Sequence, residues 1–338
     1  MVPANRGGVR ILIGHDGIHV EQLSYDFLYN YATHQRLFSI STLEQQLGIQ
    51  VLSPEQVITP EWPGAENYSI TVKRDDLLHP MISGNKWRKL KYALINIQQQ
   101  NIKHVVSFGG GFSNHLHALG YCCHKMDIHL TAIVRGDYSA NLSPMLRDLI
   151  SWGHEVNYVD RLTYGRRDDA ENLSSLSKKY PDAIIIPEGG SQHLALKGVG
   201  EIISELSQNY DYILAPVGSG GTLAGLIHAA DKKTKILGVG VLKGEGYLED
   251  LVVKLLPQAT QSRQNWQINH QYHFGGYAKA SEQLIEFCDN FYAQTNIDIE
   301  PVYSAKLFFA LRDLITQQVF PAGSKILALH TGGLQGAR

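Results

Sequence analysis

The chain has 338 residues, 43% of them hydrophobic and 18% charged, enough apolar surface for one large or two medium domains. A net charge of −2 gives no electrostatic basis for binding nucleic acid or an anionic membrane. No apolar run approaches the ~20 residues of a membrane span, and the three cysteines, without metal-ligand spacing, read as free thiols of a cytoplasmic protein.

In chain order, the start carries no signal-peptide pattern, because Arg10 interrupts the apolar run Val9 to Ile13. Residues 1–40 read as an unassigned extension, in which Tyr25, Phe27, Leu28 and Tyr31 have the spacing of one amphipathic helix. Pro54, Pro60 and Pro63 mark an extended lead-in. From Val72 onward, short apolar runs alternate with helical patterns. Strands are predicted at His104–Phe108, His129–Val134, Glu155–Val159, Ala183–Ile186, Tyr212–Ala215, Ile236–Val241 and Lys325–Leu329. Helices are predicted near 113–126, 143–152, 168–180, 194–208, 222–230, 246–256, 279–295 and 304–318. This alternation predicts α/β layers around largely parallel sheets. The 15 histidines are scattered, and His115-Leu116-His117 falls inside a helical pattern, so no metal site is expected.

Three stretches carry chemistry. In Gly84-Asn85-Lys86-Trp87-Arg88-Lys89-Leu90 a strand end turns into a helix, and Lys86 falls in the first helical turn. The positive end of the helix dipole disfavours its charge there. A lysine of lowered pKa is a nucleophile for carbonyl carbon. The turn Gly109-Gly110-Gly111-Phe112-Ser113-Asn114-His115 follows a predicted strand. Its cap and free N–H groups suit an anion. Pro216-Val217-Gly218-Ser219-Gly220-Gly221-Thr222 follows another strand and opens a helix, with hydroxyls and N–H groups placed for one phosphate. It has neither the lysine of a Walker loop nor the spacing of a dinucleotide fingerprint. A nucleophilic lysine, a phosphate cup and turns at strand ends together point to pyridoxal phosphate.

The same motifs, with Lys73-Arg74-Asp75-Asp76 and Pro301-Val302-Tyr303, make the chain similar from about Ile58 onward to one family. It resembles the D-cysteine desulfhydrase and 1-aminocyclopropane-1-carboxylate deaminase family, of the tryptophan-synthase-β-like fold type II. The resemblance implies two three-layer α/β domains with mostly parallel twisted sheets. The larger would comprise 41–88 plus 205–338, and the smaller would be inserted at 89–204. It implies that Lys86 is the Schiff-base lysine and that Lys89 reaches the cofactor phosphate. Gly218, Ser219, Gly220, Gly221 and Thr222 would hold that phosphate. Asn114 would bind the ring oxygen, and Ser304 and Thr331 would approach the ring nitrogen. Ser113, Asn114 and His115 would meet the substrate, with Ser113, Tyr277 and Tyr303 catalytic. Ser304 stands where the deaminases carry glutamate. The implied activity is α,β-elimination on a small D-amino acid, D-cysteine first, by a homodimer. The rivals are deamination of 1-aminocyclopropane-1-carboxylate and a cofactor-binding protein without turnover.

Overall fold

A computed structural model describes residues 8–14, 17–23, 43–50 and 52–337. It separates into two compact units, residues 1–49 and 50–338.

In the first unit, β1 (Gly8–Gly14) and β2 (Gly17–Leu23) pair antiparallel, with Gly14 opposite Gly17. β-Branched residues alternate through both strands, as in Val9, Ile11 and Ile13, which favours extended backbone. The sequence reading gave this stretch no structure and passed over Asp16-Gly17, an Asp-Gly pair of the kind that marks hairpin turns. The helix expected around Tyr25 to Tyr31 lies outside the described residues. Residues 43–47 are helical.

The second unit is built on two sheets. The larger contains β3 (Glu55–Ile58), β4 (Ser69–Arg74), β9 (Tyr212–Val217), β10 (Lys235–Gly240), β11 (Trp266–Asn269) and β12 (Lys325–His330). Their spatial order is β11-β10-β9-β12-β4-β3, parallel throughout except for β3. The smaller contains β5 (His104–Gly110), β6 (His129–Arg135), β7 (Glu155–Val159) and β8 (Ala183–Ile186), all parallel in the order β7-β6-β5-β8. The helices are α1 (Asn85–Gln99), α2 (Asn114–Lys125), α3 (Pro144–Ser151), α4 (Arg161–Gly165), α5 (Ala170–Lys179), α6 (His193–Ser204), α7 (Gly221–Ala229), α8 (Tyr247–Leu255), α9 (Gln258–Gln261), α10 (Glu282–Thr295) and α11 (Ser304–Thr316).

Side chains alternate across a strand, and β12 shows what that does. Ile326 and Ala328 enter a core with Phe287, Phe291, Phe308 and Leu311 of α10 and α11. Leu327 and Leu329 enter the opposite core, with Val199, Leu223, Ile227 and Val252 of α6, α7 and α8. The larger sheet is therefore the middle layer of three. In the smaller sheet, Val106, Phe108 and Ile133 pack around Tyr164, with Leu173 and Leu176 of α5 against them.

The Lys73-Arg74-Asp75-Asp76 motif works as an anchor. Asp75 and Glu205 both bind the Arg88 guanidinium, and Lys73 Nζ lies 3.1 Å from Glu205 Oε2. Arg74 holds Asp76 at 2.7 Å. This buried network ties the end of β4, the first turns of α1 and the end of α6 into one block. Buried charges of this kind are tolerated only when paired and hydrogen-bonded.

Candidate active site

In parallel α/β sheets, ligands collect outside the carboxyl ends of the strands. Each chemistry-bearing turn lies at such an end. Gly84 caps α1 with φ 53° and ψ −137°. A Cβ there would lie 1.9 Å from the Thr331 carbonyl oxygen, so only glycine fits. Asn85 N donates to that same oxygen at 3.2 Å. The start of α1 is thus stitched to the chain just beyond β12, and Lys86 follows in its first turn. Its Nζ donates to Asn85 Oδ1 at 2.6 Å and lies 5.9 Å from the centre of the Tyr303 ring. Burial brings its ammonium down to about 8, against a smaller opposing pull from Glu300. A substantial fraction is then the neutral, nucleophilic amine at mildly alkaline pH.

One turn on, Lys89 is buried and its Nζ lies 3.1 Å from Ser219 Oγ. Burial, and then the neighbouring Lys86, push its pKa well down. A bound anion would oppose both effects by favouring the charged amine. Ser219 Oγ also contacts Ser191 Oγ at 2.8 Å. Gly220 caps α7 in the left-handed region at φ 77° with no side-chain cap, so the first N–H groups of α7 have no side-chain acceptor there. A Cβ on Gly221 would come within 2.6 Å of Ser191 Oγ and 2.8 Å of Lys89 Cε. Asn85 Nδ2 donates to Thr222 Oγ1 at 2.8 Å, which fixes this cup against the Lys86 turn.

The turn after β5 closes the other side. Ser113 Oγ caps α2 by accepting from Leu116 N at 3.2 Å. Asn114 Oδ1 is buried and makes no hydrogen bond with the described residues. A Cβ on Gly333 would approach Asn114 Nδ2 to 3.1 Å, so Asn114 faces the segment beyond β12. The Tyr303 hydroxyl donates to that of Tyr277 at 3.4 Å, with the rings edge to face. Burial raises both phenols, so both are protonated at neutral pH.

Other expected residues sit differently. The His115 ring is buried and bonds Ser107 Oγ through Nε2 at 2.8 Å. Ser107 donates to the Ile186 carbonyl, so Nε2 carries the proton and Nδ1 is a bare acceptor. Burial, then Lys89 and Lys86, keep this ring neutral. Ser304 is fully buried, and its hydroxyl turns onto Glu300, 3.0 Å from Oε1. Thr331 is buried, and its carbonyl serves the α1 cap.

Sequence reading passed over Glu300. Its carboxylate accepts the N–H groups of Val302, Tyr303 and Ser304 at 2.7–2.9 Å. Burial nevertheless raises its pKa to about 7, with those bonds pulling the other way. The available signal was an acid just before Pro301 at a helix start, where the dipole favours negative charge. Ser191 was also missed, although Gly189-Gly190-Ser191 follows β8 as the other glycine turns follow β5 and β9.

A paired lysine set, an uncapped helix start with room only for glycine, and an orphaned amide oxygen fit an aldehyde, a phosphate and a ring hydroxyl. Fold and site together define a pyridoxal-phosphate enzyme of fold type II. The family described as pyridoxal-phosphate dependent enzyme matches residues 59–332, and the chain belongs to it. The chain is similar to the bifunctional D-cysteine desulfhydrase/1-aminocyclopropane-1-carboxylate deaminase, mitochondrial, of Arabidopsis thaliana. They share 29% identity over 81% of this chain and 75% of that protein. It is 26% identical to a D-cysteine desulfhydrase of Klebsiella pneumoniae over 78% of this chain and 86% of that one. Among solved structures, an ACC deaminase homologue superposes with TM-score 0.71 and 25% identity, covering 87% of this chain and 95% of the other. The cofactor is pyridoxal phosphate. Among the described residues no helix is long and apolar enough to cross a membrane.

Proposed function

We propose that the chain is a lyase that eliminates the β-substituent of a small D-amino acid, D-cysteine first, giving pyruvate, sulfide and ammonia. The observation that carries the chemistry is the Lys86–Lys89 pair, two lysines of lowered pKa flanking an uncapped helix start. The choice of substrate class leans on the names of the relatives and on Ser304 standing where deaminases carry glutamate.

Lys86 would hold the cofactor's aldehyde carbon. Lys89, Ser219, Thr222 and the N–H groups of Gly220 and Gly221 would hold its phosphate, and Asn114 its ring hydroxyl. When bound, pyridoxal phosphate supplies an electrophilic carbon for amines and a conjugated ring that accepts electrons from the α-carbon. The Lys86 amine takes the α-proton as general base, which an ammonium of pKa about 8 permits near neutral pH. The N–H groups and hydroxyl of the Ser113 turn orient the substrate carboxylate. The protonated Tyr277 and Tyr303 hydroxyls provide a proton for the departing sulfur. The D preference comes from the family resemblance.

A second reading, deamination of 1-aminocyclopropane-1-carboxylate, is favoured by Glu300, a buried carboxylate beside Ser304. We also propose that the two sheets mark a larger domain of 41–88 plus 205–338 and an inserted one of 89–204, in a cytoplasmic homodimer. The deciding experiment incubates the purified holoenzyme with D-cysteine, L-cysteine, D-serine and the cyclopropane acid. Sulfide, pyruvate and 2-oxobutyrate are assayed. Sulfide from D-cysteine with little 2-oxobutyrate from the cyclopropane acid is expected. Efficient 2-oxobutyrate release would replace this reading with the second.

A further inference from the structure

Lys306 lies in the first turn of α11, and its side chain is fully buried. Its Nζ donates to three carbonyls: Val241 at 3.0 Å, His273 at 3.0 Å and Gly276 at 2.8 Å. An ammonium has three donors and no acceptor, so three carbonyl oxygens satisfy it completely. Val241 immediately follows β10. His273 and Gly276 belong to the turn that leads into Tyr277.

That turn has few other attachments. Gly275 N bonds His273 Nδ1, Gly276 N bonds His273 O and Lys279 N bonds Gly276 O, all within the turn itself. The Phe274 ring packs edge-on against Phe309 at 5.0 Å. The backbone runs through positive φ at Phe274 (51°), Gly275 (91°), Gly276 (132°) and Ala278 (54°). The two residues with side chains are in a region that L residues rarely adopt, and such conformations persist only where the surroundings over-determine them. Tyr277 is 42% exposed overall, and its ring packs edge to face on Tyr303, so its position depends on the backbone that carries it. Tyr303, its partner, lies three residues before Lys306 on the same helix start.

We propose that Lys306 is a positioning residue whose ammonium pins the His273–Gly276 turn to the helix that follows Tyr303, and so holds the Tyr277 hydroxyl opposite Tyr303. This rests on the reading of the two tyrosines as site residues. Lys306 touches neither hydroxyl and acts through the backbone that carries one of them.

The test uses the holoenzyme with Lys306→Met, Tyr277→Phe and the double variant. Misplacing a catalytic group by ~1 Å costs about 100-fold in rate, so Lys306→Met is expected to lower kcat by about that factor and leave the cofactor Kd unchanged. Amide hydrogen exchange should rise over 274–280 and stay unchanged in β9 and β12. The double variant should be no slower than the slower single variant, because both changes disable one group. Multiplying effects, or unaltered exchange over 274–280, overturn the clamp. A normal kcat in Tyr277→Phe defeats the site reading of Tyr277, and the exchange data then decide the clamp alone. If Lys306→Met does not fold, Lys306→Gln keeps two donors for three carbonyls, and exchange and kcat between wild type and severe loss are expected. Wild-type values in Lys306→Gln overturn the proposal.

Discussion

Replacing Lys86 with methionine should stabilise the cofactor-free protein while abolishing its covalent hold on the cofactor. Burial brings the Lys86 ammonium from 10.5 to about 8. At ~1.4 kcal/mol for each tenfold change in acidity, a charged Lys86 costs the folded state ~3 kcal/mol. The folded pKa is lowered, so the unfolded chain binds the extra proton between pH 8 and 10.5. The penalty is therefore complete below about 8, shrinks as pH rises, and is gone above about 10.5. Methionine has nearly the same length and no charge. The variant loses the bond to Asn85 Oδ1, worth about 1 kcal/mol. A net gain of ~2 kcal/mol at pH 7 follows. Urea unfolding of both cofactor-free proteins at pH 7, 9 and 10 measures it. The gain should fall with pH until only the lost hydrogen bond remains. A methionine variant that is less stable at pH 7, or a difference independent of pH, would refute the assignment of Lys86 as a desolvated amine.

Borohydride reduction of the holoenzyme followed by peptide mass spectrometry should place the pyridoxyl adduct on Lys86, and an adduct elsewhere removes its proposed role. Lys89→Ala should raise the cofactor Kd by about 10- to 100-fold, the loss of a charge-assisted bond of ~1.5–3 kcal/mol, and more than Thr222→Ala does. Equilibrium dialysis compares the two. Glu300 titrates near 7, so Glu300→Gln should remove an inflection near that pH from kcat/KM, which a pH–rate profile reads directly. Glu205→Gln leaves Arg88 and Lys73 under-compensated in a buried network, and a loss of ~3–5 kcal/mol in urea unfolding is expected.

The strands of the two sheets were legible where an apolar run met a glycine turn. β9 was expected at Tyr212–Ala215 and spans Tyr212–Val217. Trp266–Asn269 was missed, because a four-residue edge strand reading Trp-Gln-Ile-Asn has too short an alternation to stand out. α4 was missed for the same reason, its five residues completing barely one turn. Within the site, Lys86, Lys89 and the Ser219 turn were legible because glycine, lysine and hydroxyl residues stand in one local run. Glu300 and Lys306 were not. Their importance lies in burial and in carbonyls or N–H groups of other segments, which no local pattern records. Ser304 shows the converse. Its place after Tyr303 is plain in the sequence, but which neighbour its hydroxyl would choose depended on Glu300.

β12 lies between β9 and β4 in the larger sheet, although it follows all of the other described strands in chain order. During synthesis, β4 and the Lys86 turn emerge some 250 residues before the strand that joins them to β9. Until then the Thr331 carbonyl that stitches down Asn85 does not exist. The smaller sheet closes earlier, because its four strands all fall between His104 and Ile186. Assembly during translation is therefore ordered, the inserted sheet first and the cofactor cup last. By this geometry the Asn85 stitch, and through it the hold of the Lys86 turn on the Thr222 cup, completes only once β12 has taken its central place.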